Sequence, residues 1–351
     1  MPNTTYYYRL LASNQAADST GSERSFTTVA AAPDARTSAA SDITASAATL
    51  NGSVNAQNGA TTIHFEYTRI AGDYRSATAI SATPDTLLDP DDTAVSVRAS
   101  NLLPNTMYYY RVVATSDAGA NAGTERRFTT SALVPIVSTL VASGVTSTTV
   151  SLNGTVNAQN SISTAYFQYT TVAGDYTGAI DITTTPAVAS GRLATNVGVT
   201  LNNLDPNKTY YYRLVAQNAA GRVSGIERSF TTTAMPPVVA SWSTIVRIAA
   251  KASTTLQVAA GGSGPMNYQW YKGQSGDTST AIPGATGSSY TTPALVQATS
   301  YWVRVSNAGG SSDSPTVVAS VTYTTFLPLA TQAASRAGAP GQPAESPRRQ
   351  G

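Results

Sequence analysis

The chain has 351 residues, a length that accommodates two to four domains of ordinary size. Charged residues are only 11% of the total and the formal net charge is +2, so the clustered positive charge that binds nucleic acid or an anionic membrane is lacking. There is no cysteine, which excludes disulfides and thiolate chemistry, and no run of about 20 apolar residues that would form a transmembrane helix. We therefore expect no nucleic-acid partner and no direct membrane insertion.

The strongest pattern is a repeat with a period of 102 residues. The stretch "PNTTYYYRLLASNQAADSTGSERSFTT" begins at Pro2, and near-copies begin at Pro104 and Pro206. Two further stretches recur at the same offset: "TLNGSVNAQN" with "SLNGTVNAQN", and "FEYTRIAGDY" with "FQYTTVAGDY". A period of about 100 residues is the size of one compact domain, too long for a solenoid repeat.

Within each copy, apolar residues alternate with polar ones, which predicts β-strands. The segments "NAQNGA", "IAGD" and "SDAGANAG" separate the alternating stretches and are rich in turn-forming residues. Seven short strands in about 100 residues indicate a two-sheet sandwich, so we expect an all-β fold. In the first complete copy the predicted inward positions are Leu50, Gly52 and Val54, then Ile63, Phe65 and Tyr67, then Val95 and Val97, then Tyr108, Tyr110, Val112 and Ala114, and last Phe128.

The closing stretch of each copy follows a spaced motif, which in the first complete copy runs Leu102-x-Pro104-x-Thr106-x-Tyr108-x-Tyr110. It resembles strands F and G of the fibronectin type III fold, and the resemblance implies that Tyr108 is the tyrosine corner of that fold. The early stretches resemble the bacterial variant of the module, whose first strands read "TLNG-V" and "F-Y". The resemblance implies two complete fibronectin type III-like domains, residues 31–132 and 133–233.

Both complete copies lack the tryptophan that the vertebrate pattern has in strand B, and valine stands near its place. Each also carries a mid-strand glycine, Gly52 or Gly154, and such a glycine usually marks a bulge or a close approach. We expect the inward-facing Tyr110 and Tyr212 to fill the space above these glycines.

Residues 1–30 match only the closing hairpin of such a domain. A hairpin without its sandwich exposes an apolar face, here with Tyr6, Tyr8, Leu10 and Phe26, and is marginally stable in water. We therefore expect a truncated domain that upstream domains of the same polypeptide complete, and a natural start before Met1.

Residues 234–323 follow a different pattern. The stretches "LQVAAGG", "YQWYKG" and "SYWVRVSNAGG" resemble an immunoglobulin-like domain. The resemblance implies that Trp270 is the core tryptophan and Tyr301 the tyrosine corner, and that Val258 and Val303 replace the bridging cysteines of that family. Residues 324–351 lack the apolar content to fold, and we expect a disordered C-terminal tail.

Candidates for catalysis or metal binding are few. The single histidine, His64, lies between two inward positions and is expected to face solvent, so it has no partner for a catalytic triad or a zinc site. The acidic residues Asp89, Asp91 and Asp92 are absent from the second copy, which favours a solvated turn over a calcium site. The glycine-rich "AAGGSGP" lacks the lysine and helix of a phosphate loop. We therefore predict no catalytic, cofactor or metal site.

One polar constellation recurs in every copy. Arginine and glutamate stand 14 residues apart, on neighbouring strands beside the outward tyrosine of the triplet. One interpretation is a cross-strand ion pair under a tyrosine, worth about 0.2 to 1 kcal/mol. The other is a binding patch for a surface glycan or protein. In the complete copies the outer-face patch consists of Tyr109, Arg111 and Glu125, and of Tyr211, Arg213 and Glu227.

The sequence predicts a non-enzymatic, secreted or cell-surface modular protein of a bacterium, in which sandwiches in series act as spacer or adhesion modules. The alternative is an accessory region of a secreted hydrolase whose catalytic domain lies upstream of Met1. The two hypotheses differ in what precedes the repeats, so the residues of this chain leave both open.

Overall fold

The computed structural model describes residues 1–240 and 245–323. These residues are all-β, and the one helix among them is a single 3-10 turn, Thr278–Thr280. Within these two ranges, no helical segment has the length and hydrophobicity of a membrane span. The chain divides into two compact units, Met1–Thr233 and Ala234–Gly351. The segment predicted to be a disordered tail, 324–351, lies outside the described residues.

The first unit begins with a hairpin whose strands, in the part of the chain described, pair only with one another. Its four strands form two-stranded pairs, β1 with β4 and β2 with β3, and every residue in them is exposed. The strands are β1 (Thr5–Tyr8), β2 (Leu11–Ser13), β3 (Asp18–Thr20) and β4 (Arg24–Thr27).

The first complete sandwich has eight strands. These are β5 (Asp34–Ser41), β6 (Ala47–Asn55), β7 (Thr61–Thr68), β8 (Thr78–Leu87), β9 (Thr93–Ser100), β10 (Met107–Ser116), β11 (Gly119–Ala122) and β12 (Arg126–Thr129). One sheet contains β5, β6 and β9, and the other contains β8, β7 and β10 with β11 and β12. A single pair, Thr83 with Ser96, joins β8 to β9 across the edge. When β11 and β12, which both pair with β10, are counted as one interrupted strand, the two sheets have three and four strands, which is the fibronectin type III topology.

The second sandwich repeats the first strand by strand. Its strands are β13 (Ile136–Thr139), β14 (Val150–Asn157), β15 (Ser163–Thr170), β16 (Ile180–Ala189), β17 (Ala194–Leu201), β18 (Thr209–Asn218), β19 (Gly221–Ser224) and β20 (Arg228–Thr231). The period-two alternation of the sequence accounts for both cores, because every second residue of the inner strands is buried. In β10 the buried residues are Tyr108, Tyr110, Val112 and Ala114, as predicted.

The tyrosine corners of both sandwiches are confirmed. The Tyr108 hydroxyl accepts a hydrogen bond from the backbone N–H of Leu103 at 2.9 Å, and the Tyr210 hydroxyl accepts one from Asp205 at 2.9 Å. Each bond ties the loop that precedes the strand to the start of the strand, five residues later.

The expectation that tyrosine fills the space above the mid-strand glycines is wrong. A Cβ on Gly52 would lie 2.8 Å from the Arg36 carbonyl oxygen and 3.2 Å from Val112 Cγ1. A Cβ on Gly154 would likewise lie 2.7 Å from Leu214 Cδ2. Val112, two positions after Tyr110, occupies the space above Gly52. The Tyr110 side chain instead extends towards β5, where its hydroxyl donates a hydrogen bond to the Ser38 carbonyl at 2.6 Å.

The second unit is a smaller sandwich. Its strands are β21 (Val238–Val239), β22 (Ile245–Ala249), β23 (Thr255–Gln257), β24 (Ala260–Gly261), β25 (Asn267–Lys272), β26 (Ser289–Thr291), β27 (Thr299–Asn307), β28 (Gly310–Asp313) and β29 (Val317–Thr322). The largest sheet joins β22, β29, β27 and β25, with β28 on β27.

The core of the second unit contains the residues that the immunoglobulin resemblance singled out. Trp270 is fully buried and donates from Nε1 to the Gly287 carbonyl at 2.9 Å. Val258 and Val303 belong to the same buried cluster, so apolar packing stands where the family has its bridge. Tyr301 is also fully buried, but within the described part of the chain its hydroxyl has no hydrogen-bond partner. The structure therefore does not show it as a hydrogen-bonded tyrosine corner.

Candidate functional site

The outer-face patch is built differently from the cross-strand pair that the sequence suggests. Arg111 lies opposite Glu66 in the register of β10 and β7, and its Nη2 is 2.8 Å from Glu66 Oε2. The predicted ion pair between Arg111 and Glu125 is therefore wrong. Glu125 precedes β12, whose pairing with β10 stops at Tyr110 and Arg126, so no ladder holds it against Arg111.

Glu125 instead holds the loop between β7 and β8. One of its carboxylate oxygens accepts a hydrogen bond from the backbone N–H of Gly72 at 2.8 Å. On the same loop, the ring of Tyr74 lies under Arg111, with the guanidinium carbon 4.0 Å from the ring centre. This cation–π contact and the ion pair with Glu66 leave Arg111 with two partners on the protein itself.

The second copy repeats this arrangement with one change. The Arg213 guanidinium carbon is 3.8 Å from the centre of the Tyr176 ring, and Glu227 accepts from the Gly174 N–H at 2.9 Å. At the position of Glu66 stands Gln168, and Arg213 Nε donates to its Oε1 at 2.9 Å. The geometry therefore survives the loss of one negative charge.

Tyr74 and Tyr176 are the residues of this site that sequence reasoning missed. They follow the glycine and aspartate of "AGDY", a turn signal that occurs in both copies 102 residues apart. The pKa of both hydroxyls is raised above the ordinary 10.0. Burial is the larger cause, and the neighbouring carboxylate, Glu125 or Glu227, is the second. The recurrence of this tyrosine in both copies was the available sequence signal. Its arginine partner comes close only in the folded sandwich.

The outward tyrosines of the patch are half-buried. Tyr109 pairs with Thr68 and Arg127 in the ladders on either side of β10, and its hydroxyl donates to Met107 Sδ at 3.2 Å. Tyr211 occupies the equivalent position in β18. Arg111 and Arg213, in contrast, are each engaged by a tyrosine ring and a polar side chain of the protein itself.

A second repeated site joins successive copies; we name it the asparagine junction. Asn58 lies in the turn after β6 and reaches the start of the preceding hairpin. Its Nδ2 donates to the Pro2 carbonyl at 3.1 Å and to Thr4 Oγ1 at 3.1 Å, while Asn3 Nδ2 donates to the Asn58 carbonyl at 2.8 Å. Both asparagines have positive φ, 47° at Asn3 and 59° at Asn58, a conformation that asparagine tolerates better than most residues.

The same three bonds recur between the two complete sandwiches. Asn160 Nδ2 donates to the Pro104 carbonyl at 3.1 Å and to Thr106 Oγ1 at 2.8 Å, and Asn105 Nδ2 donates to the Asn160 carbonyl at 3.2 Å. In the third copy of the motif Lys208 stands at the position of Thr106, and its ammonium pairs with Asp205 at 2.9 Å. The threonine that accepts from the junction asparagine in the first two copies is thus a lysine in the third.

The histidine and the acidic residues considered as catalytic or metal-binding candidates lie on the surface of the first sandwich. His64 faces outward as predicted, half-exposed, with Nε2 3.7 Å from Glu66 Oε1. Asp89, Asp91 and Asp92 are exposed. In the two ranges that the structure describes, no group of three or more histidine, aspartate or glutamate residues is arranged to hold a metal ion.

The fold and these sites define a class of protein: a tandem of fibronectin type III-like and immunoglobulin-like β-sandwiches. Residues 235–324 match the family model described as "Ig-like domain CHU_C associated". The chain is also similar to endoglucanase B from Cellulomonas fimi, with 30% identity over 264 residues. That match covers 70% of this chain and 24% of endoglucanase B, so the chain spans only about a quarter of this curated relative.

Similar solved structures include a titin fragment and a set of domains from chicken CNTN1. An I-band fragment from titin is 15% identical, with a TM-score of 0.47, and the match covers 84% of this chain and 100% of the fragment. The FN1-FN3 domains of chicken CNTN1 are 13% identical, with a TM-score of 0.33, and the match covers 83% of this chain and 98% of theirs.

Proposed function

We propose that this chain is a non-catalytic spacer that holds successive β-sandwiches in a fixed relation, in a secreted or surface-anchored bacterial protein. The observation that carries the proposal is the asparagine junction. The same three side-chain hydrogen bonds link hairpin to sandwich and sandwich to sandwich, at positions 102 residues apart. A flexible string of modules has no need for such bonds.

The physical argument rests on the number and placement of these bonds. A typical hydrogen bond contributes about 0.5 to 1.5 kcal/mol net, and here three converge on one residue. Because Asn160 both donates and accepts across the link, a bend between the sandwiches breaks several bonds together. The positive φ of the asparagines fixes the backbone that aims the side chains.

The test is a distance measurement on the full chain. The chain has no cysteine, so spin labels at Thr62→Cys and Thr164→Cys report one distance between the two sandwiches. Both sites are exposed and equivalent in the repeat. We expect a narrow distance distribution by double electron–electron resonance, and a distribution at least about twice as wide in Asn160→Ala.

Asn153→Ala is the matched control. Asn153 Nδ2 donates to the Val141 carbonyl at 3.1 Å within its own sandwich, so its loss should leave the width unchanged. A broad distribution in the unsubstituted chain, or one that Asn160→Ala leaves as it was, contradicts the spacer function.

A second candidate function is an accessory region of a secreted glycan hydrolase. The similarity to endoglucanase B favours it, because it extends over 264 residues and so beyond any single sandwich. In this function the outer-face patch binds a surface glycan through Tyr109 and Tyr211. Depletion of the chain by insoluble cellulose, compared with Tyr109→Ala/Tyr211→Ala, tests it. Equal depletion of both proteins, or none, counts against glycan binding at this patch.

Adhesion to a surface protein is the remaining role for the patch. The two copies place equivalent tyrosines, Tyr109 and Tyr211, at the same position of the same strand in each sandwich. Binding of intact bacteria or host cells to the immobilised chain, with the same double variant as comparison, distinguishes this role from a spacer alone.

A further inference from the structure

The hairpin at residues 1–29 presents an apolar face that its counterparts bury. Tyr6, Tyr8 and Phe26 are 39%, 58% and 54% exposed. The equivalent residues of the first sandwich, Tyr108, Tyr110 and Phe128, are 5%, 0% and 6% exposed. The internal ring contacts are the same, since Tyr6 stacks on Phe26 with centroids 5.5 Å apart and Tyr108 stacks on Phe128 at 5.6 Å. The hairpin is therefore preformed in the conformation of a closed sandwich.

The hairpin also has an open backbone edge. In the complete copy β10 pairs with β12 on one side and with β7 on the other, where Tyr110 lies opposite Tyr67 and Val112 opposite Phe65. Among the described residues, β1 pairs only with β4 and β2 only with β3. The edge that would face a β7-like strand carries unpaired N–H and C=O groups, which is a template for another strand.

We infer that this face docks a half-sandwich of the repeat type, with strands equivalent to β5–β9. The same interface exists twice within this chain, in both complete copies, and it supplies every group that the hairpin leaves open. A strand equivalent to β7 forms hydrogen bonds with the open edge of the hairpin, and a sheet equivalent to β5 and β6 covers the aromatic rings of the hairpin.

The interface specifies the partner further. In the complete copies, Val112 packs against Gly52 of the facing sheet and Leu214 packs against Gly154. Each of these residues lies two positions after the last tyrosine of the triplet. The equivalent residue of the hairpin is Leu10, which is 76% exposed. The partner therefore carries a glycine opposite Leu10. It also offers a backbone carbonyl to the Tyr8 hydroxyl, as Ser38 does to Tyr110. A second copy of the hairpin presents neither feature.

The test joins residues 31–102 directly in front of Met1 of the full chain, so that the added half-sandwich meets the hairpin at the spacing of the repeat. Hydrogen exchange followed by mass spectrometry then compares the amides of Thr5–Ala12 with those of Met107–Ala114 in the same molecule. We expect exchange at Thr5–Ala12 to slow at least about 100-fold, towards the rate at Met107–Ala114, because docked strand amides open only with the sandwich.

Two control proteins make the result specific. The same fusion with Gly52→Val in the added segment only, which removes the room for Leu10, should restore fast exchange at the hairpin. Tyr8→Asp should do the same, whereas Tyr7→Asp, on the opposite face, should leave the protection intact. Fast exchange at Thr5–Ala12 in the fusion, while Met107–Ala114 stays protected, overturns the inference. So does a concentration-dependent dimer of the unfused chain with a protected hairpin, because the occupant is then a second copy.

Discussion

At the scale of single residues, the cores of the two large sandwiches depend on a tyrosine with two roles. Tyr110 is fully buried, its ring packs edge-on to Phe128 at 5.7 Å, and its hydroxyl donates to the Ser38 carbonyl across the sandwich. Tyr212 repeats this with the Leu140 carbonyl at 2.8 Å. An aliphatic residue would fill part of the space but would leave a β5 carbonyl without its donor.

Substitution of Tyr110 separates these roles. Tyr110→Phe keeps the ring and loses the hydrogen bond, so we expect a loss of about 0.5 to 1.5 kcal/mol in the free energy of unfolding of the first sandwich. Tyr110→Ala also creates a cavity and should cost about 3 to 5 kcal/mol. Hydrogen exchange of β10 amides in the full chain measures both, with β18 as the internal reference. A loss below about 1 kcal/mol for Tyr110→Ala would contradict the burial of the ring.

Gly52 is a position where any side chain meets backbone. Its Cβ would be 2.8 Å from the Arg36 carbonyl oxygen, so Gly52→Val must move β5 away from β6. We expect a destabilisation of about 1 to 3 kcal/mol, as overpacked cores show. Gly261→Ala is the comparison, because no atom lies within 4 Å of the added Cβ and the change should be nearly neutral. Equal effects in thermal unfolding of the two variants would refute the steric argument.

At the scale of elements, one strand organises each large sandwich. β10 pairs with β7, β11 and β12, and its inward residues reach β5 and β6 in the other sheet. Its outward arginine holds the β7–β8 loop through Tyr74. In the second unit β27 has the same place, paired with β25, β28 and β29. Each sandwich is thus assembled around a strand that comes late in its sequence.

The second unit offers a test of how its sheets face each other. Val258 and Val303 are both buried in the cluster that contains Trp270. We expect Val258→Cys/Val303→Cys to form an intramolecular disulfide on air oxidation, which requires a Cα separation of about 4.4 to 6.8 Å. No other cysteine competes. Thiol titration of the folded protein, with Val258→Cys alone as control, gives the answer. Two free thiols in the oxidised double variant would show that these residues do not oppose each other.

At the scale of the whole molecule, buried tyrosines link stability to alkaline pH. Burial raises the pKa of Tyr110, Tyr212 and Tyr301 above the ordinary 10.0. The unfolded chain therefore loses these protons at lower pH than the folded chain does. Their contribution to stability is complete below about pH 10 and is lost as the pH rises towards the raised values.

We accordingly expect the chain to unfold on the alkaline side. Each tyrosine that ionises only in the unfolded state lowers the free energy of unfolding by about 1.4 kcal/mol per pH unit. Thermal unfolding between pH 8 and about 12, followed by circular dichroism, should show a steepening loss above about pH 10. Tyr110→Phe/Tyr212→Phe should start lower at neutral pH and decline less steeply. An identical slope in this variant would assign the alkaline loss to other groups.

The repeat, the strands and the inward-facing residues follow from the order of amino acids alone. Period-two alternation depends only on the geometry of a strand, so Tyr108, Val112 and Phe128 could be placed in the core without knowledge of their partners. The tyrosine corner was predicted from the resemblance to the fibronectin type III motif, and its hydrogen bond spans only five residues. Local spacing and that resemblance sufficed for these features.

The contacts between groups on different strands and sheets could be read only from the folded sandwiches. The register of β7 against β10 places Arg111 opposite Glu66. The loop between β7 and β8 places the ring of Tyr74 against the same arginine. Asn58 and Asn160 meet partners 54 to 56 residues earlier in the chain, in a different module. Strand alternation says which face a side chain takes and nothing about what lies opposite, because register and loop paths follow from the packing of the whole sandwich.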